Sequence, residues 1–399
     1  MKVTRIGEKI KLNQVMDVSA DVHKDVLNFF FETERKEYSD ECSNRTKVIE
    51  RKLKAYHEVA KEHGFKSLRI ICEPTGQYQN KLFRTARRMG HLTCYVNAES
   101  VSKFRVVESN DNGKTDTKDP QVIRTLGQLG KVIKHRMLDE DYLMLRKLNR
   151  LYDDTDVEIT RVRCKISRLL VELFCDYSFK KDFLYDTSGR ALIDNFGCNP
   201  YRIIKTGYEA FAEAMKGAVP RIRQETLKRL WRDASNSVLN ELPDGYIEVL
   251  EMQLHQLIRD YDEQIERKNA LKVRMKEILD RLREKDPNIP PPTPNVISET
   301  NLARLLGETG PLADFMHWRQ LMRYGGLNIC ERKSGKFQGL SKITKKGRPL
   351  LRKILSMIVL PLVKKSSLYG EYYHGKKDID KMAGAKAMTV VSRNFLKKF

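Results

Sequence analysis

The chain predicts an α/β plus all-α protein: a mixed sheet flanked by helices, then a long helical arm, then a small helical C-terminal domain. Three observations predict it. Strand-like and helix-like segments alternate over the first 135 residues, as in a sheet covered by helices. From Leu145 apolar residues step by three and four, the spacing of a helical seam. A proline-rich stretch, DPNIPPPTPN, interrupts the helical half at 286–295. The expected boundaries are 1–137 for the α/β domain, 138–285 for the arm, 286–296 for a stiff linker and 297–399 for the C-terminal domain.

In order, NQVMDVSA (13–20) and DVLNFFFE (25–32) read as strands joined by a polar turn, with a weaker strand near 36–42. Residues 46–63 form an amphipathic helix ended by Gly64. SLRIICE (67–73) is an apolar strand, 78–89 a helix ended by Gly90, and LTCYVN (92–97) a strand. Helices follow at 100–108 and 120–129, separated by the polar loop SNDNGKTDTKD. The arm's first seam is Leu145, Leu148, Tyr152, Thr155, Ile159, Val162, Ile166, Leu169 and Leu173. Its second is Ile247, Leu250, Leu254, Leu257, Tyr261 and Ile265, in a helix running to about Glu284. Shorter helices broken by Gly197, Gly207 and Gly217 lie between them. Two such seams fit either an antiparallel coiled-coil arm or two dimer seams. After the prolines come short helices at 299–306 and 318–324, a basic loop, a helix at 349–363 and a last helix from about Asp378.

Composition narrows the function. The formal charge is +22 and the pI near 9.6; such a field attracts polyanions. No basic amphipathic helix or lipidation motif directs it to a membrane, so nucleic acid is the expected partner. ILSMIVLPLV (354–363) is too short to span a bilayer and carries a proline. The N-terminus has no signal-peptide core, so a cytoplasmic, nucleoid-associated location is expected. Seven scattered cysteines without a CxxC read as free thiols.

Four carboxylates stand out. Asp17 lies on the first strand, Glu73 closes SLRIICE before the helix-breaking PTG, and Asp116 and Asp119 flank the start of a late helix. Parallel neighbours in a sheet present their C-terminal ends together. Hard oxygen ligands converging there suit Mg²⁺ and phosphate chemistry. Each also has a plainer role: Asp17 as a turn former, Glu73 as a surface acid, and Asp119 before Pro120 as a helix cap. Their order along the chain is that of an RNase H-like (RuvC-like) nuclease core.

VMDVSADVHKD, CEPTGQY and GKTDTKD resemble the three blocks of the DEDD transposases of bacterial insertion sequences, the insertion-sequence one-ten family that includes Piv-type DNA invertases. Pro120 stands where the third block usually has alanine. YGGLNICERKSGKFQGLSKITKKGRPLLRKIL resembles the same family's C-terminal pattern, with Thr344 in place of the usual serine. The resemblance implies a DNA recombinase. Asp17, Glu73, Asp116 and Asp119 would bind Mg²⁺. Ser334 would attack the scissile phosphate, leaving a phosphoserine link and a free hydroxyl. It further implies double-stranded DNA at the element's ends and target, a structured guide RNA and a homo-oligomer. A serine hydroxyl needs activation, and the developing charge needs cations. Residues 331–365 hold 11 Lys/Arg and one acid. The expected phosphate contacts are Arg332, Lys333, Lys336, Lys342, Lys345, Lys346, Arg348 and Arg352. Two other readings compete: a metal-dependent junction-resolvase-like nuclease in which Ser334 is only a turn residue, and a non-catalytic nucleic-acid scaffold.

Overall fold

In the computed structural model the described residues are 14–34, 36–109, 118–180, 182–330, 333–334, 337–338, 342–364 and 367–398. They divide into two units, Met1–Met137 and Leu138–Phe399.

The first unit is built on a six-stranded sheet. β1 (Val15–Val22), β2 (Val26–Glu32) and β3 (Glu37–Ser43) run as an antiparallel meander. Then α1 (Thr46–Glu62) carries the chain across to β4 (Ser67–Cys72), which lies parallel to β1. A second crossover through α2 (Asn80–Arg88) adds β5 (Leu92–Val96), again parallel. After α3 (Ala98–Ser109) and α4 (Lys118–Gln128), β6 (Val132–Lys134) closes the far edge antiparallel to β5. The order is β3-β2-β1-β4-β5-β6. The short edge strand β6 escaped the sequence reading because three residues carry no usable alternation.

Side chains alternate across a strand. Met16, Val18, Ala20 and Val22 of β1 join Ile49, Leu53 and Tyr56 of α1 and Leu82, Phe83 and Ala86 of α2 in one core. Asp17, Ser19 and Asp21 take the opposite face. There Ile71 packs with Val101 of α3 and Val122, Ile123 and Leu126 of α4.

The second unit is helical. α5 (Glu140–Leu173) and α10 (Asp244–Lys285) pair side by side, and α6 (Thr187–Phe196), α7 (Pro200–Thr206), α8 (Tyr208–Ala218) and α9 (Gln224–Ser237) form the insertion between them. Asp141 at the start of α5 accepts from Arg281 at 2.8 Å and Lys285 at 2.6 Å near the end of α10. At the other end, Val162–Leu173 share a core with Ile247–Ile258 and with Leu192, Phe211 and Leu227 of the insertion. The two seams therefore meet each other, antiparallel, within one chain. Every predicted seam residue of α5 is buried except Leu148, which is half-buried. Leu148 gives way to Asn149, which is fully buried.

The proline-rich stretch is not an open spacer. Ile289 and Ile297 are buried in the core that holds Leu145 and Tyr152 of α5, Met275 and Leu279 of α10, and the C-terminal helices. Those helices are α11 (Glu299–Thr309), α12 (Trp318–Tyr324), α13 (Pro349–Val359), α14 (Leu368–His374) and α15 (Gly384–Lys398). α13 stops before the expected Val363 and tightens into a 3-10 turn at Leu360–Val363, where Pro361 supplies no N–H for an α-helical bond. Among the described residues no helix is long and apolar enough to cross a membrane.

Candidate functional site

Register decides which acids of the sheet come together. Ala20 of β1 pairs with Cys72 of β4, so the next residues, Asp21 and Glu73, sit side by side at the C-terminal ends of two parallel strands. Alternation puts Asp21 on the face covered by α4. Both carboxylates act on one neighbour: burial first, then the charges of Glu73 and Asp21, push the Cys72 thiol up. His23 Nε2 lies 3.2 Å from Asp21.

Asp17, the acid of β1 expected from the sequence as a ligand, sits further back on the same strand. It lies four residues before Asp21, opposite Arg69. Arg69 grips it from Nε and Nη2 at 2.6 Å each, and Nη2 also donates to the Gly127 carbonyl of α4 at 3.2 Å. The ion-pair side chains are 9% and 14% exposed, and the pair ties β1 and β4 to α4. Gly127 permits that approach: a Cβ there would meet Ile71 Cδ1 at 2.5 Å. Asp21 is the acid adjoining the turn His23-Lys24-Asp25.

The loops around Asp21 and Glu73 are tied together. In Pro74-Thr75-Gly76-Gln77-Tyr78, Gly76 has a φ of +61°, a backbone state glycine enters without steric cost. Gln79 Nε2 donates to the Gly76 carbonyl at 3.2 Å, and Thr75 Oγ1 to the Glu73 carbonyl, also at 3.2 Å. Asn44, 3% exposed, donates to His23 O at 2.9 Å and Tyr78 O at 3.1 Å. It bridges the turn after Asp21 to the loop after Glu73. A groove of about 670 Å³ opens between these loops, lined by His23, Lys24, Asn28, Thr75 and Tyr78 among others.

Asp119, in the first turn of α4, is 4% exposed and held by Arg105 of α3 at 2.7 and 2.9 Å. Asp116 lies outside the described residues. Among the described residues no three His, Cys, Asp or Glu side chains come together as a metal cluster.

The serine segment contributes two short antiparallel strand pairs in the second unit. β7 (Ile329–Cys330) pairs with β10 (Lys342–Ile343), and β8 (Lys333–Ser334) with β9 (Phe337–Gln338), Ser334 opposite Phe337. The two flanking motifs form its stem. Lys345 N donates to Gly326 O at 2.9 Å, Thr344 N to Asn328 O at 2.9 Å, and Arg348 N to Tyr324 O at 3.1 Å. Close packing explains the glycines: a Cβ on Gly347 would meet Gly326 N at 2.3 Å and Tyr324 O at 2.4 Å.

The expected phosphate contacts separate into groups. Lys342, Lys345 and Lys346 are exposed. Arg348 is instead paired with the buried Glu308 at 2.6 Å, and Arg352 Nη1 donates to the Gly325 carbonyl at 2.9 Å. Both cations have partners within the fold. Arg332 and Lys336 lie outside the described residues, and Lys333 is placed only as a strand position.

A meander of three strands extended by two parallel crossovers, with acids at the ends of β1 and β4, defines the RNase H-like class of enzymes. A family model for DEDD transposases matches residues 16–175, and one described as the transposase IS116/IS110/IS902 family matches 293–374. Together they cover well over half of the chain, which belongs to the IS110 family of DEDD transposases. It is an enzyme that acts on DNA, with a DNA transposase or recombinase activity. No curated protein matches it.

Proposed function

We propose that the chain cuts and rejoins DNA with two centres: a divalent-metal site formed by Glu73, Asp116, Asp119 and an acid of β1, the expected Asp17 or the Asp21 beside Glu73, and Ser334 as nucleophile. The register that brings Asp21 next to Glu73, at the ends of parallel strands, carries the metal half of this reading. Two neighbouring carboxylates repel one another unless a cation lies between them. Asp119 would exchange Arg105 for the metal. Mg²⁺ fits an all-oxygen donor set and, when bound, would polarise phosphate oxygens.

The serine half rests on the stem. Tight glycine packing fixes the two ends of a short, basic segment in which Ser334 is paired opposite Phe337. In the reaction the Ser334 Oγ–P bond forms and the bond from phosphorus to the leaving deoxyribose oxygen breaks. The serine proton passes to a base, and the leaving oxygen takes up a proton to become a free hydroxyl. The exposed Lys342, Lys345 and Lys346 would hold the flanking phosphates. The groove beside Asp21 would take one DNA strand. A structured RNA as guide, and an oligomer that brings both centres to one phosphate, complete the proposal.

The test is covalent trapping. Full-length protein is incubated with Mg²⁺, element-derived RNA and a duplex carrying the joined ends of its own element, and the DNA-linked peptide is mapped. Linkage at Ser334, lost in Ser334→Ala and in Asp21→Ala, is the expected result. Cleavage that persists in Ser334→Ala without any adduct would establish the junction-resolvase-like nuclease instead.

A further inference from the structure

Polar residues that the reaction scheme leaves unused gather at the base of the serine hairpin. Glu308, in the last turn of α11, has a side chain only 1% exposed. One of its carboxylate oxygens accepts from Arg348 Nε at 2.6 Å, the other from Asn149 Nδ2 of α5 at 3.2 Å. Its main-chain carbonyl accepts from Arg146 of α5 at 3.0 Å and from the Tyr324 hydroxyl at 3.3 Å. Arg146 also donates to that hydroxyl at 3.2 Å. Asn149 accepts in turn from Arg304, whose guanidinium is fully buried over the Tyr152 ring.

Position along the chain gives this network its meaning. Tyr324 is the residue immediately before the Gly325-Gly326 entry to the stem, and Arg348 is the residue immediately after Gly347 at its exit. The hairpin thus stands on two feet, and Glu308 holds both. The opposite end of the network is rooted in α5, and α11 presses on α5 so closely that a Cβ at Gly307 would meet the Leu145 backbone at 3.0 Å. Packing alone does not call for such chemistry. Apolar residues of similar volume would bury as well or better than one carboxylate among three guanidinium groups. What a hydrogen-bonded polar network adds is a single geometry.

We infer that Glu308 is a positioning residue: by holding Arg348 and Tyr324 together it sets the orientation of the Ser334 hairpin, and through Asn149 and Arg146 it couples that orientation to helix α5. The inference rests on Ser334 being the nucleophile.

The experiment compares Glu308→Gln, Tyr324→Phe and Ser334→Ala in the full chain, using the same duplex, RNA and Mg²⁺. Single-turnover adduct formation and DNA affinity are measured separately. Glu308→Gln is expected to slow adduct formation about 30-fold, and Tyr324→Phe about 5-fold, on the scale of an ångström-level misplacement of a reacting group. DNA affinity should stay within about twofold, since neither residue faces a phosphate. Adduct formation at the wild-type rate in folded Glu308→Gln overturns the inference. If Glu308→Gln does not fold, Tyr324→Phe decides: a wild-type rate there overturns it equally. An adduct that survives Ser334→Ala removes the underlying assignment, an outcome distinct from Ser334→Ala being inactive while Glu308→Gln is unimpaired.

Discussion

Replacing Asp17 and replacing Asp21 should have opposite consequences, although both are acids on the same face of the same strand. In Asp17→Ala the Arg69 guanidinium, 8% exposed, loses both of its 2.6 Å carboxylate contacts and keeps only the Gly127 carbonyl. Breaking a buried pair from one side costs about 3–5 kcal/mol, because a charge is left without compensation. At about 3 °C per kcal/mol for a unit of this size, that is a fall in melting temperature of roughly 10 °C. DNA cleavage should survive at a temperature where the variant is folded. In Asp21→Asn repulsion with Glu73 is relieved, so melting should stay within about 1 kcal/mol of wild type. Metal-dependent cleavage should vanish. The assay pairs a thermal melt with Mg²⁺-dependent nicking of the element-end duplex at 20 °C below the melting point of each variant (an experimental setting of roughly that margin, chosen from the size of the shift). Asp17→Ala with unchanged melting and no cleavage would refute the register argument, and so would a fully active Asp21→Asn.

Three further outcomes follow from the same geometry. Asn44→Ala unties the turn after Asp21 from the loop after Glu73, and should slow cleavage about tenfold while costing roughly 1–3 kcal/mol for the carbonyls left unpaired, read by nicking rate and denaturant midpoint. Gly347→Ala forces the two strands of the stem apart, and should reduce serine-adduct formation about 100-fold while the melt of the first unit is unchanged. His91 has its pKa pushed down to about 4 by burial and by the neighbouring His57. The unfolded chain takes up that proton near the ordinary 6.5, so stability should decline as pH falls from about 6.5 to about 4 and level off below. The loss is at most about 3 kcal/mol, and His91→Gln should flatten the profile of denaturant midpoint against pH.

How far the sequence reaches can be judged residue by residue. The meander, both parallel crossovers and nearly all of the α5 seam follow from local periodicity, because alternation and 3,4 spacing record which face of an element is buried. The same seams were equally compatible with two separate dimers, and only the meeting of Asp141 with Arg281 and Lys285 makes them an intramolecular antiparallel pair. Charge shows the same divide. Eleven cations near Ser334 read alike in the sequence, yet Arg348 and Arg352 are consumed by Glu308 and the Gly325 carbonyl, partners that are remote or unremarked along the chain.

By itself the sequence determined the class of elements, their order, the buried faces and the types of residue that the chemistry requires. It also determined that the first acid lies on the α4 face of β1, since Asp17 and Asp21 share that parity. Which of them stands beside Glu73 was decided by the tertiary structure. A strand's periodicity tells one face from the other but does not mark where its neighbour ends, and that endpoint is a property of the pairing of Ala20 with Cys72, not of either strand alone.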